Sequence, residues 1–110
     1  MRQLVLDELR PAERQAIQGY LAQHAQPAAI EGLFWLTLPD DLLAPAQRSH
    51  PECAPFHLAI ELTADALRFE LLVRTGHRLH CPCMAHATPA QRDFLLRFAD
   101  RLVADLDLRS

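Results

Sequence analysis

Two stretches, residues 56–62 and 67–73, alternate apolar and polar side chains across a short connection, and this pair constrains the fold more than any other feature of the chain. In the first, Phe56, Leu58, Ile60 and Leu62 share one face, with His57, Ala59 and Glu61 on the other. In the second, Leu67, Phe69, Leu71 and Val73 face one way, while Arg68, Glu70 and Arg74 face the other with Leu72 as the apolar exception. Period-two alternation of this kind belongs to half-buried strands. A two-residue turn at Ala64-Asp65 sets Leu62 against Leu67, Ile60 against Phe69 and Leu58 against Leu71, and opposes Glu61 to Arg68 on the other face. A slip of one residue would turn the whole apolar set toward water, so the register is strongly specified and a hairpin is predicted.

The neighbouring segments extend this unit. After Thr75-Gly76-His77, the residues Leu79, Cys81 and Cys83 fall on core-facing parity, with His80, Pro82 and Met84 outward, which predicts a further strand and a three-stranded meander. Pro82 lacks an amide donor and places that strand at a sheet edge. Thr88-Pro89-Ala90-Gln91 is a capping box with proline at the first helical position. Leu95, Phe98, Ala99, Leu102, Val103 and Leu106 follow it on one stripe of a long helix. Upstream, Pro11 opens a helix to Ala25, with Ile17, Tyr20, Leu21 and His24 on one face, and Pro27 stops it. The run Leu33 to Leu38 is apolar on both alternating faces and reads as a strand covered on both sides. Asp40 and Asp41 start one or two helical turns over Leu42 to Gln47, interrupted at Pro45.

These elements predict a single α+β domain over residues 1–110: an antiparallel sheet of about four strands, with the N- and C-terminal helices packed on one face. A chain of 110 residues, half of them hydrophobic, is long enough for one core. Charged or histidine residues interrupt every apolar run, so no membrane span is expected, and residues 1–9 lack the apolar stretch of a secretory leader, so a cytoplasmic location is expected. The net charge of -3 arises from acidic and basic residues spread along the chain, which argues against a nucleic-acid partner. Every basic residue is arginine and asparagine is absent, a bias expected of a GC-rich bacterial genome. Without lysine there is neither a Schiff-base amine nor a P-loop phosphate clamp.

Catalytic material is sparse. Ser49 stands in no nucleophile-elbow context, Asp40 and Asp41 suit a helix start, and Glu61 has Arg68 opposite it, so a non-enzymatic chain is favoured. Cysteine and histidine are the exception. His50 and Cys53 lie three apart ahead of the hairpin, while Cys81, Cys83 and His86 lie on and just beyond the last strand of the meander. Thiolate and imidazole are the donors zinc prefers, and cysteines at i and i+2 of a strand point to one side, so a Cys3His zinc site is conceivable as a structural staple or hydrolytic centre. The opposing reading buries Cys81 and Cys83 as small apolar residues against Leu71 and Phe69, with no cofactor. Thiol redox chemistry with His80 or His57 as base is a third possibility, which the inward parity of the cysteines opposes.

Surplus apolar surface points elsewhere. With Phe34, Leu36 and Leu38 toward the helices, Leu33 and Trp35 fall on the other side of the sheet, where Leu72 and Met84 join them. A face of this kind needs a cover. The sequence therefore favours an accessory or protein-interaction domain over a zinc-binding one, the cover of this face being a second copy, a partner protein or a longer loop folded back.

Overall fold

The computed structural model describes residues 3–75 and 84–108. Its strands are β1 (Gln3–Leu6), β2 (Gln26–Pro27), β3 (Leu33–Thr37), β4 (Phe56–Leu62), β5 (Leu67–Thr75) and β6 (Ala85–His86), and its helices are α1 (Pro11–His24), α2 (Pro45–Arg48) and α3 (Pro89–Asp105). The strands form one antiparallel sheet in the order β1-β5-β4-β3-β2, with β6 continuing along β5 beside β1. No helix among the described residues is long and apolar enough to cross a membrane.

The β4-β5 hairpin has the predicted register at its closed end, pairing Leu62 with Leu67, Glu61 with Arg68 and Ile60 with Phe69. Thr63 and Ala66 close the turn: the Thr63 N–H donates to the Ala66 carbonyl at 2.9 Å, and the Ala66 N–H donates to Thr63 Oγ1 at 3.1 Å. Beyond Ile60 the register moves. Leu58 pairs with Val73, not with Leu71, because Glu70, Leu71 and Leu72 together span the ladder opposite Ala59. A shift of two residues preserves facing, so Val73 takes the inward place at Leu58 and both are fully buried. Outside the bulge, β5 changes partners, from β1 at residues 67–70 to β6 at residues 72–73.

Among the described residues the antiparallel sheet has six strands where about four were expected. The addition at one edge is β1, whose Leu4 and Leu6 face inward beside Phe69 and Leu67 while Val5 lies outward beside Arg68. At the other edge, β2 adds two residues to β3. The expected strand through Leu79, Cys81 and Cys83 lies outside the described residues, and β6 at Ala85–His86 supplies the third strand of the meander. β3 pairs with β4 along its full length, which fixes the position that periodicity left open.

All three helices begin with proline followed by alanine, a Glu or Gln and arginine: Pro11-Ala12-Glu13-Arg14, Pro45-Ala46-Gln47-Arg48 and Pro89-Ala90-Gln91-Arg92. Proline supplies the preset φ of the first position, and the third residue reaches back to the N-cap amide, at 2.8 Å from Arg10 N, 2.8 Å from Ala44 N and 3.0 Å from Thr88 N. Pro45 therefore opens α2 where the sequence suggested an interruption. At Thr88 the hydroxyl also accepts from the Gln91 N–H, completing the box.

α1 and α3 cover the same face of the sheet. Ile17 and Leu21 of α1 join Leu95, Phe98, Ala99 and Leu102 of α3 in one buried cluster with Phe34, Leu36, Leu58, Ile60, Leu67 and Phe69. Phe98 meets Phe69 edge-on at a centroid distance of 6.4 Å. The excursion between β3 and β4 is pinned to the start of α3 by two buried glutamines: Gln91 Nε2 donates to the Leu42 carbonyl at 2.8 Å and to Gln47 Oε1 at 3.0 Å.

Candidate functional site

The face of the sheet away from the helices holds Leu33, Trp35 and Leu72 of the four residues expected at a partner contact, while Met84 packs against the core cluster. Leu33 and Trp35 of β3 and Leu72 of β5 are half-buried and stand outside the core cluster, with Ala59 of β4 between them and Val5 exposed toward the β1 edge. Trp35 stacks on His57 at a centroid distance of 5.3 Å, and Thr37 Oγ1 lies 3.1 Å from His57 Nδ1. Both contacts help to bury a histidine on the outward parity of β4, which is only 5% exposed. Met84 is half-buried against the core cluster.

Charges of alternating sign frame this patch. Arg68 reaches Glu61 at 3.5 Å across the β4-β5 ladder, and Arg74 grips both carboxylate oxygens of Glu70 on its own strand. The Glu70 hydrogen bond raises the Arg74 pKa against the opposing effect of burial. Two positive and two negative side chains make this frame neutral on a chain whose net charge is -3.

Of the Cys/His candidates, the described residues include His50 and Cys53, which share one turn, and His86 on β6. Cys53 lies in a short 3-10 turn at Pro51–Cys53, is 1% exposed and belongs to the core cluster. His50 Nδ1 donates to the Ala46 carbonyl at 2.7 Å, closing the end of α2. His86 is exposed on β6 opposite Leu72, on the face away from the helices. Cys81 and Cys83 lie outside the described residues. Among the described residues, no three His, Cys, Asp or Glu side chains gather as a metal centre requires.

A concave feature lies elsewhere, at residues the sequence did not single out as a site. Where α1 ends and the chain enters β2, a cleft of about 600 Å³ opens between α1, the β2-β3 edge and α3. Its lining includes buried Leu36 and Phe98, half-buried Phe94, and the polar side chains of Tyr20, Arg101 and Asp105. Tyr20, which helical periodicity places on the core face of α1, packs edge-on against Phe98 and donates its hydroxyl to Asp105 Oδ2 at 3.0 Å. Burial first, then this hydrogen bond and the Asp105 charge, hold the phenol above its ordinary value of 10.0, with Arg101 acting in the opposite direction. Tyr20 and Asp105 are 85 residues apart, so only the packing of α1 beside α3 brings them together.

No family model, curated protein or solved structure matches this chain.

Proposed function

We propose that this chain is a non-catalytic interaction domain of the bacterial cytoplasm that associates with a second copy of itself through the face of the sheet away from the helices. The observation that carries the reading is the one-sided helical layer: α1 and α3 cover one face, leaving Leu33, Trp35 and Leu72 on the other. The frame of Glu61, Arg68, Glu70 and Arg74 favours a second copy over an unrelated partner. Across a two-fold axis a patch with equal numbers of both signs can meet its own complement, whereas the rest of this acidic chain repels its like. Buried in the core, Cys53 serves as a small apolar residue, which suits a reducing compartment. No cofactor enters this reading.

Charge exchange tests it. Arg68 and Glu61 are both well exposed, so reversing either leaves the core intact. Arg68→Glu is expected to weaken self-association about tenfold, by setting like charges against each other, and the exchange Glu61→Arg with Arg68→Glu is expected to restore it. An Arg68→Glu chain that associates as strongly as the parent overturns the reading.

A further inference from the structure

The cleft between the two helices, which borders the sheet face at Trp35, carries a second inference. Its volume of about 600 Å³ falls in the range of small-molecule sites, and it joins an apolar floor to a few converging polar groups. The state of its charges is informative. On α3, Asp93 and Arg97 stand one turn apart and pair at 2.9 Å. Arg101 and Asp105 have the same spacing with the order reversed, the weaker orientation on a helix. They form no ion pair, and the Asp105 carboxylate instead receives the Tyr20 hydroxyl. Among the described residues, Arg101 has no carboxylate partner, and its exposed guanidinium lines the cleft beside Phe94.

We propose that this cleft binds a small aromatic carboxylate, its carboxylate on Arg101 and its ring against Phe94 over the floor of Leu36 and Phe98. A guanidinium fork matches a carboxylate in two parallel hydrogen bonds, and a planar ring against an aromatic wall adds stacking or edge contact. His24, whose ring lies 4.2 Å from that of Tyr20 and which also lines the cleft, offers a second donor to the anion. The hydroxyl of Tyr20 occupies one oxygen of Asp105 and so reduces the repulsion that this carboxylate exerts on the ligand.

The test is calorimetric titration of the full chain with benzoate, with acetate as the non-aromatic control and the ultraviolet titration of Tyr20 as a local reporter. Benzoate is expected to saturate at one per chain, acetate to bind at least about tenfold more weakly, and Arg101→Gln to weaken benzoate by about tenfold or more. Arg101 is exposed on α3, so its replacement leaves the core untouched. Bound benzoate is also expected to raise the Tyr20 pKa, because a nearby anion disfavours phenolate. Phe94→Leu is expected to weaken benzoate while leaving acetate unchanged. Absence of saturable binding, binding indifferent to Arg101→Gln, acetate binding equal to benzoate, or a Tyr20 titration that ligand does not move would each overturn the assignment.

Discussion

Replacing Gln91 with alanine removes the side chain that ties three parts of the fold together. Gln91 is fully buried, accepts from the Thr88 N–H at 3.0 Å, and donates to the Leu42 carbonyl at 2.8 Å and to Gln47 Oε1 at 3.0 Å. Truncation costs these bonds and leaves the Leu42 carbonyl without this donor in a region that solvent hardly reaches. At roughly 1 kcal/mol for an ordinary hydrogen bond and more for a stranded buried group, the sum is about 2 to 4 kcal/mol. Unfolding entropy of about 2.1 cal/mol/K per residue over 110 residues is roughly 0.23 kcal/mol/K, so the melting temperature should fall by about 9 to 17 °C. The equivalent capping residue of α1 is the comparison. Glu13 reaches the Arg10 N–H at 2.8 Å at an exposed helix start, where loss of a cap typically costs about 0.5 to 1 kcal/mol, or roughly 2 to 4 °C here. Calorimetry of both variants decides. A Gln91→Ala chain that melts no lower than Glu13→Ala would refute the claim that the buried glutamines anchor the 39–55 excursion to α3.

Three further outcomes follow from particular atoms. Gly32 has φ of +83°, and an added Cβ would meet the Leu62 carbonyl oxygen at 2.8 Å, so Gly32→Ala should cost about 2 kcal/mol or more by chemical denaturation, and a neutral result would contradict the geometry. Tyr20 is the single tyrosine, so absorbance reads it alone: its midpoint should lie above 10.0 and move down in Asp105→Asn. Because the fold holds that proton more tightly than the unfolded chain does, its stabilising effect is full below the ordinary value and is lost as pH rises through the higher folded one. Tyr20→Phe should therefore show a flatter stability curve over that interval. With Cys53 in the core and His50 bound to a backbone carbonyl, protein purified without chelators or a metal-affinity tag should carry less than about 0.1 zinc per chain, and near-stoichiometric zinc would reinstate the Cys/His reading.

The hairpin was legible because parity and register are the same constraint: one slip would expose Ile60 and Phe69, both fully buried. The long helix was legible because Thr88, Pro89 and Gln91 satisfy its first amides locally. What the sequence hid is non-local. β1 alternates Leu4 and Leu6 with Gln3 and Val5, yet four residues give a weak period until Phe69 and Leu67 are known to lie beside them. The pairing of Leu58 with Val73 depends on a bulge placed where β5 passes from β1 to β6, which no pattern within the hairpin encodes. Pro45 does interrupt the helical turns of this segment, separating the 3-10 turn at Asp40–Leu42 from α2, but only the bond from Ala44 N to Gln47 shows that it also opens α2. Of the candidate sites, the apolar face followed from strand parity. The cleft did not, since Tyr20 and Arg101 share no local signal.

Sedimentation equilibrium of the unmodified chain over a range of concentrations tests self-association through the sheet face most directly. The account predicts a concentration-dependent species of twice the 12.4 kDa chain mass, weakened in Arg68→Glu and accompanied by reduced solvent access to Trp35, the single tryptophan. A chain that stays at 12.4 kDa at the highest attainable concentration, with Trp35 quenched equally at every concentration, would contradict it.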